Sequence, residues 1–404
     1  MKKKASLLML FSVVFMDMIG FGFIIPLIPD YIARFGGAPA LSGLLAAVYA
    51  LGQFFAAPIV GRLSDTYGRK PLLLFSIGGT FLSLLLLAFS RNLLLVFAAR
   101  LLDGLTGGNI TVAQSYIVDI TDEKNRARGL GLIGMAFGFG FILGPLFGGL
   151  LSTFGLAVPA FVAAGIAFIN LIFISFLLEE SLTEERKKQV DVRPRKALSL
   201  RVLINTLRRE GTGTVLLMTL FYSFAFVLFE SMFTVFVADR LGLDSRSRGL
   251  LLAYVGLLVA LVQGGLVGPL VKKFDERRLA AVSVVIAALS MLLYAFSASL
   301  LYLMIVLIPL SIASGIVSTL LRTLLTKSVP HEQAGGTLGL SSSAESLNRV
   351  LAPMAGSALF ASLGAWSPGV LAGILLLITG SIGWKKLIQE DCLAKDGPMC
   401  EDVA

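Results

Sequence analysis

Histidine occurs once in these 404 residues, at 331, and cysteine twice, at 392 and 400. His331 has no second histidine or cysteine near it in the chain, so the sequence offers no metal site. No imidazole falls within any apolar run to serve as a general base, so Ser341, Ser342, Ser343 and Glu345 form no nucleophile constellation, and the expectation is that the protein is not an enzyme. No phosphate-cradling glycine loop is present, which excludes a nucleotide-driven pump and leaves no expected cofactor. Charge is scarce too. Only 15% of residues are charged while 56% are hydrophobic, and the mean hydropathy is +0.87, against about 25% and about 45–50% in soluble domains. The net charge of +9 comes without a nucleic-acid motif, so it is read as membrane topology and contact with the lipid surface, not as DNA or RNA binding.

What remains is a chain built to sit in lipid. A hydrocarbon core near 30 Å needs about 20 apolar residues per helix. On that length the sequence predicts twelve spans, at residues 6–28, 41–60, 72–89, 93–110, 129–151, 157–178, 214–237, 250–270, 279–296, 300–321, 337–359 and 368–383. The basic and apolar start resembles a secretory signal, but Asp17 and the lack of a small-residue cleavage site favour a retained first helix. Of the 34 Lys and Arg, five (Arg34, Arg91, Arg240, Arg246, Arg248) fall in one set of loops, two (Arg100, Arg349) fall inside spans, and the rest fall in the termini and the other loops. The positive-inside rule then puts both termini in the cytoplasm, in a plasma or inner membrane. Cys392 and Cys400 lie in that cytoplasmic tail, where a structural disulfide is not expected.

The chain repeats itself. Gly61 and the basic residues after it have an echo at Gly268, a shift of 207 positions, and Leu130, Pro145 and Gly148 recur as Leu338, Pro353 and Gly356, a shift of 208. Two unrelated matches at nearly one spacing imply two six-helix bundles, residues 1–178 and 213–384. A cytoplasmic linker at 179–212 joins them, and a tail follows at 385–404. Within the linker, Leu198, Leu203 and Leu207 beside Arg201, Arg208 and Arg209 suggest a short amphipathic helix on the inner leaflet; a solvated linker is the alternative.

Ionisable groups inside the membrane cost about 2.5–3.5 kcal/mol each even on the lenient insertion scale. Six lie in predicted spans: Asp17, Arg100, Asp103, Glu230, Glu345 and Arg349. Arg100 with Asp103 and Glu345 with Arg349 have the spacing of pairs on one helical face. Asp17 and Glu230 have no local cation, which makes them candidates for carrying a coupling proton; an Asp17–Arg100 pair and a solvated Glu230 are the structural alternatives. Glu345, Arg349 and Asp103 are candidates for lining a substrate cavity, along with rings such as Phe221, Tyr222, Phe224, Phe226 and Phe229, most of which are expected to be core or lipid-facing.

Two further segments carry glycine for a reason. In GRLSDTYGRK, Gly61 and Gly68 permit a tight hairpin and close helix approach, and Asp65 and Arg69 can reach each other. With Asp119, and with Asp65 drawn to the start of the eleventh span at Gly335–Gly336–Thr337, they are expected to latch the cytoplasmic side. The fifth span carries Gly134, Gly138, Gly140, Gly144, Pro145, Gly148 and Gly149, a small-residue face for close packing with a proline that permits a bend.

DMIGFGFIIPLIPD at 17–30, GRLSDTYGRK at 61–70, RLLDGLTGGN at 100–109 and GFILGPLFGG at 140–149 together resemble the major facilitator superfamily, and within it the twelve-helix drug:proton antiporters that include the tetracycline exporters. The resemblance covers the whole chain. It implies an all-α polytopic fold of two pseudo-symmetric six-helix bundles, a site between them near the midplane, Arg100 as a proton-linked residue, Asp17 as a cavity residue, and antiport from the fifth-span motif. It also implies a monomer whose partners are a small-molecule substrate, protons and lipid. The chain departs from the tetracycline exporters in having no ionisable residue at 72–89, 250–270 or 279–296, where those proteins carry them, so the substrate is left open among amphipathic cations, zwitterions and anions. The expected function is proton-coupled efflux of a small amphipathic molecule by alternating access. An importer of a metabolite is the second reading, and a non-transporting receptor or channel the third.

Overall fold

The structure is a computed structural model that describes residues 2–182, 200–209 and 211–389. Leu198 and both cysteines lie outside that range. The described residues form helices and no strands. Eleven helical segments are long and apolar enough to cross a membrane: Leu7–Arg34, Leu41–Tyr67, Arg69–Ala88, Leu93–Ile120, Gly129–Phe154, Val158–Leu177, Thr212–Leu241, Ser245–Lys273, Glu276–Ala295, Leu300–Lys327 and Ser367–Lys386. The 33-residue helix His331–Leu363 takes the eleventh of the twelve places expected from sequence. It falls short on hydropathy because it carries Glu345, Arg349 and a run of serines. A further helix, Leu200–Leu207, occupies the linker where an amphipathic helix was expected.

Most spans run past their apolar cores because a helix satisfies its own backbone and has no reason to stop at the hydrocarbon edge. The second span is the clearest case. Its apolar run ends at Val60, but the helix continues to Tyr67 and only Gly68, at φ +110°, breaks it. The hairpin expected over Gly61–Lys70 is therefore a helix end, one glycine and a new helix start. Gly61 makes no turn; it sits inside the helix, where an added Cβ would lie 3.1 Å from the Thr111 methyl. Span starts are set by local caps: Asn92 accepts from the Leu95 N–H at 2.9 Å, and Asp275 accepts from the N–H groups of Arg277 and Arg278 at 3.0 Å.

Backbone contacts divide the chain into two compact units, Met1–Arg195 with Val237–Gly256, and Lys196–Phe236 with Leu257–Ala404. In the first, the first span packs on the fifth, the second on the fourth and the third on the sixth. In the second, the eighth packs on the tenth and the ninth on the twelfth. The second-to-fourth and third-to-sixth pairings thus recur six spans later, the structural counterpart of the repeat at 207–208 positions. Glycines let some of these helices approach closely, as expected where apolar surface alone gives no preference for helix over lipid. A Cβ on Gly144 would stand 2.7 Å from the Gly22 Cα, and one on Gly52 would stand 2.9 Å from the Gly104 carbonyl carbon. Gly134 and Gly138, expected on the same packed face as Gly144, have open space around them instead. Of the rings named from sequence, Tyr222 and Phe229 are buried while Phe221, Phe224 and Phe226 are partly exposed, and Phe229, Phe233 and Phe236 surround Tyr294.

Candidate transport site

The fourth span is interrupted. Helix Leu93–Thr106 ends at Gly107 and Gly108, and helix Asn109–Ile120 begins directly after. The glycine pair lets the chain pass close to the second span, where a Cβ on Gly108 would strike the Val60 side chain. Broken backbone at membrane depth is tolerated where protein or a cavity surrounds it. Here it turns Asn109, itself buried, toward the first span, and Asn109 Nδ2 donates a hydrogen bond to the Asp17 carboxylate. Asp17 makes no ion pair among the described residues. Arg100 instead donates from Nη1 to Asp103 Oδ2 at 3.0 Å, and Thr80 donates to the other Asp103 oxygen at 3.1 Å. The pairing of Arg100 with Asp103 expected from their spacing is present, and the alternative Asp17–Arg100 pair is not.

Arg100 is further held by aromatic faces, its guanidinium lying 4.3 Å from the centroid of Tyr49 and 5.6 Å from that of Phe21. Its Nε is buried without a partner. These groups line one cavity with Gln53, so Asp17, Arg100 and Asp103, drawn from two spans, do converge. Sequence reasoning missed Asn109, Thr80 and Tyr49. The glycine pair before Asn109 was the available signal, since two adjacent glycines mark a helix interruption and hence an exposed polar start.

On the side of Gly68, a second polar network is built around Arg69. Its guanidinium meets Asp65 at 2.5 Å and Asp119 at 2.9 Å, and donates to Ser64 at 2.6 Å. Asp65 and Arg69 of the motif and Asp119 therefore form one cluster, with Asp119 and Arg69 buried and Asp65 at its rim. Glu180, which no sequence pattern singles out, completes it. Its carboxylate accepts from the backbone N–H groups of Arg69 at 2.9 Å and Lys70 at 3.1 Å, capping the third span from the end of the sixth. The expected attraction of Asp65 to Gly335–Gly336–Thr337 loses its basis, because that helix starts at His331 and those residues lie beyond its first turn of unpaired N–H groups.

The fifth-span motif packs on two partners. Gly140, Gly144 and Gly148 face Met18, Gly22 and Phe23 of the first span. Gly149 faces Ser245 and Gly249 of the segment grouped with the same unit, where a Cβ on Gly149 would lie 2.8 Å from the Ser245 carbonyl oxygen and one on Gly249 would strike the Pro145 carbonyl. Next to this contact Arg248 donates to Asp30 and is 1% exposed. The sequence placed both in loops, yet Arg248 is among the most buried large side chains described.

In the second unit the expected Glu345–Arg349 pair does not form. Glu345 accepts from the Ser341 hydroxyl at 3.0 Å and faces Arg322 at 3.8 Å. Arg349 is exposed, and its charge acts on half-buried Glu230. That influence comes from a different span, which helical spacing cannot reveal.

Comparison with known proteins places this arrangement. The sequence profile of the Major Facilitator Superfamily matches residues 10–353 and 265–390. The chain is 32% identical over 375 residues, 91% of this chain and 93% of the other, to "Tetracycline resistance protein, class C" of Escherichia coli. It is 25% identical over 378 residues, 93% and 94% of the two chains, to "Multidrug resistance protein 2" of Bacillus subtilis. Among solved structures it is similar to the nucleoside transporter NupG, at a TM-score of 0.77 over 94% of this chain and 99% of that one, with 12% identity.

Proposed function

Because the chain belongs to the Major Facilitator Superfamily, we propose that it is a secondary active transporter that exports a small amphipathic organic molecule in exchange for protons, by alternating access. The observation that carries the proton coupling is Asp17. It is a carboxylate in a membrane cavity, bonded to a neutral amide and free of any ion pair among the described residues. A group so placed can gain and lose a proton without breaking a salt bridge, whereas Arg100 and Asp103 neutralise each other. Glu230 is the corresponding carboxylate of the second unit, with Arg349 as the charge that responds to its state. Export of a drug-sized molecule is supported by the relatives named for tetracycline and multidrug resistance, and the fifth-span glycine–proline motif favours antiport over import.

The Arg69 cluster is read as the cytoplasmic latch, both termini as cytoplasmic, and the working unit as a monomer in a plasma or inner membrane. Catalysis and cofactors have no part in this account, in which the proton gradient supplies the energy. Reconstituted into liposomes with an imposed pH gradient, the protein should concentrate a fluorescent drug against proton flow, and Asp17→Asn or Glu230→Gln should abolish the concentration step. If both variants concentrate the drug as the parent does, the proton assignment is wrong.

A further inference from the structure

The two units hold their intramembrane charge in opposite ways. Arg100 and Asp103 are 6% and 12% exposed and meet at 3.0 Å, a closed pair whose Nε is buried without a partner. Arg322 and Glu345 are 71% and 23% exposed and stand 3.8 Å apart, longer than a formed hydrogen bond. Glu345 takes its short hydrogen bond from Ser341 instead. Among the described residues that loose contact is the one ion pair Arg322 makes.

Arg322 directly follows the apolar run at 300–321. It precedes the end of its helix at Lys327 by five residues, about 7.5 Å at 1.5 Å per residue. Its guanidinium stands near Glu345, which lies about 21 Å along its own helix from His331. With 71% of its side chain exposed, the fork is open to water or a solute.

Its surroundings are those of a binding surface. One turn before it, Ser318 accepts from Gln263 Nε2 at 3.3 Å. Gln263 sits in the π-helical stretch Val262–Leu266 of the eighth span, and such single-turn π-bulges concentrate at functional sites. A Cβ added at Gly264 or Gly265 would meet no atom within 4 Å, so the flank beside Gln263 is open space. Exposed Arg349, one turn beyond Glu345, adds a second positive charge to the same unit.

We propose that Arg322, with Gln263 and Ser318, forms a recognition site for an organic anion, specifically a carboxylate on an amphipathic molecule. A guanidinium fork matches the two oxygens of a carboxylate, which a compact ammonium does not. Gln263 supplies an amide donor alongside, and Glu345 is the weak placeholder that the arriving carboxylate displaces. This assignment rests on the export reading only in taking the ligand for the transported molecule.

Fluorescein and rhodamine 6G share a xanthene core and carry opposite charge, so they separate charge recognition from apolar binding. Fluorescence anisotropy with the full-length protein in lipid nanodiscs should show fluorescein bound more tightly than rhodamine 6G. Arg322→Gln should weaken fluorescein about tenfold, as expected for one lost charged contact, and leave rhodamine 6G unchanged; Arg322→Lys should retain part of the affinity. Preference for rhodamine 6G, or equal fluorescein binding by parent and Arg322→Gln, overturns the site. An equal loss for both dyes does so as well, by reducing Arg322 to a structural role. No pH gradient enters the binding assay, so its failure with intact proton-driven efflux removes only the anion site, and its success without efflux removes only the coupling.

Discussion

Substituting Asp103 by Asn keeps the shape of the side chain and its bond to Thr80 but strands the Arg100 cation. Arg100 is 6% exposed, its Nε is already without a partner, and its remaining neighbours are the rings of Tyr49 and Phe21. Breaking a buried pair by removing one member costs about 3–5 kcal/mol. The rings recover about 1 kcal/mol as cation–π contact, but the parent protein has that contact too, so it offsets nothing. Asp103→Asn is therefore expected to lower stability by about 3 kcal/mol, and Arg100→Gln by a similar amount. The double substitution leaves no unpaired charge and should cost clearly less than the sum. Unfolding in mixed detergent micelles, followed by circular dichroism for all four proteins, gives the coupling energy directly. The same cycle on Arg322 and Glu345, open and 3.8 Å apart, should give less than about 1 kcal/mol. A coupling for Arg100 and Asp103 no larger than that for Arg322 and Glu345 would refute the claim that the first pair is closed and the second available.

Four further substitutions test the packing and the cap. Gly144→Ala forces the first and fifth spans apart at a 2.7 Å approach and should destabilise by about 1–3 kcal/mol, while Gly134→Ala, with open space around it, should be neutral or slightly stabilising; equal effects in thermal unfolding would contradict the packing described. Glu180→Ala removes the acceptor of the Arg69 and Lys70 N–H groups and should cost about 1 kcal/mol, as for a lost helix cap, with Glu180→Gln losing less because its amide oxygen still accepts. No change in the unfolding midpoint of Glu180→Ala would remove the capping role.

The spans and the duplicated halves were legible because lipid imposes one length and one hydropathy on every crossing helix. Helix ends were not, because the polar residues after Val60 are as comfortable in a helix that projects into water as in a loop, and only the positive φ of Gly68 stops it. Charges three apart on one helix were paired correctly, as with Arg100 and Asp103. Partners on different helices were legible only around the Gly61–Lys70 motif, where Arg69 meets Asp119, since spacing along one helix carries no information about its neighbours. That is why Glu345 faces Arg322 in place of Arg349, why Asp17 finds Asn109, and why Asp30 with Arg248 looked like two loop residues. Glu180 escaped notice for a related reason: its role is to accept from backbone, which leaves no trace in side-chain pattern.

Proton exchange at Asp17 is the claim on which the functional account depends. Proteoliposomes loaded with a pH-sensitive dye, with no gradient imposed, report it when an outward-directed substrate gradient is applied. The parent protein should move protons opposite to the substrate, and Asp17→Asn should let substrate run down its gradient with no pH change. Substrate movement by Asp17→Asn with the parent's full proton signal would contradict the account.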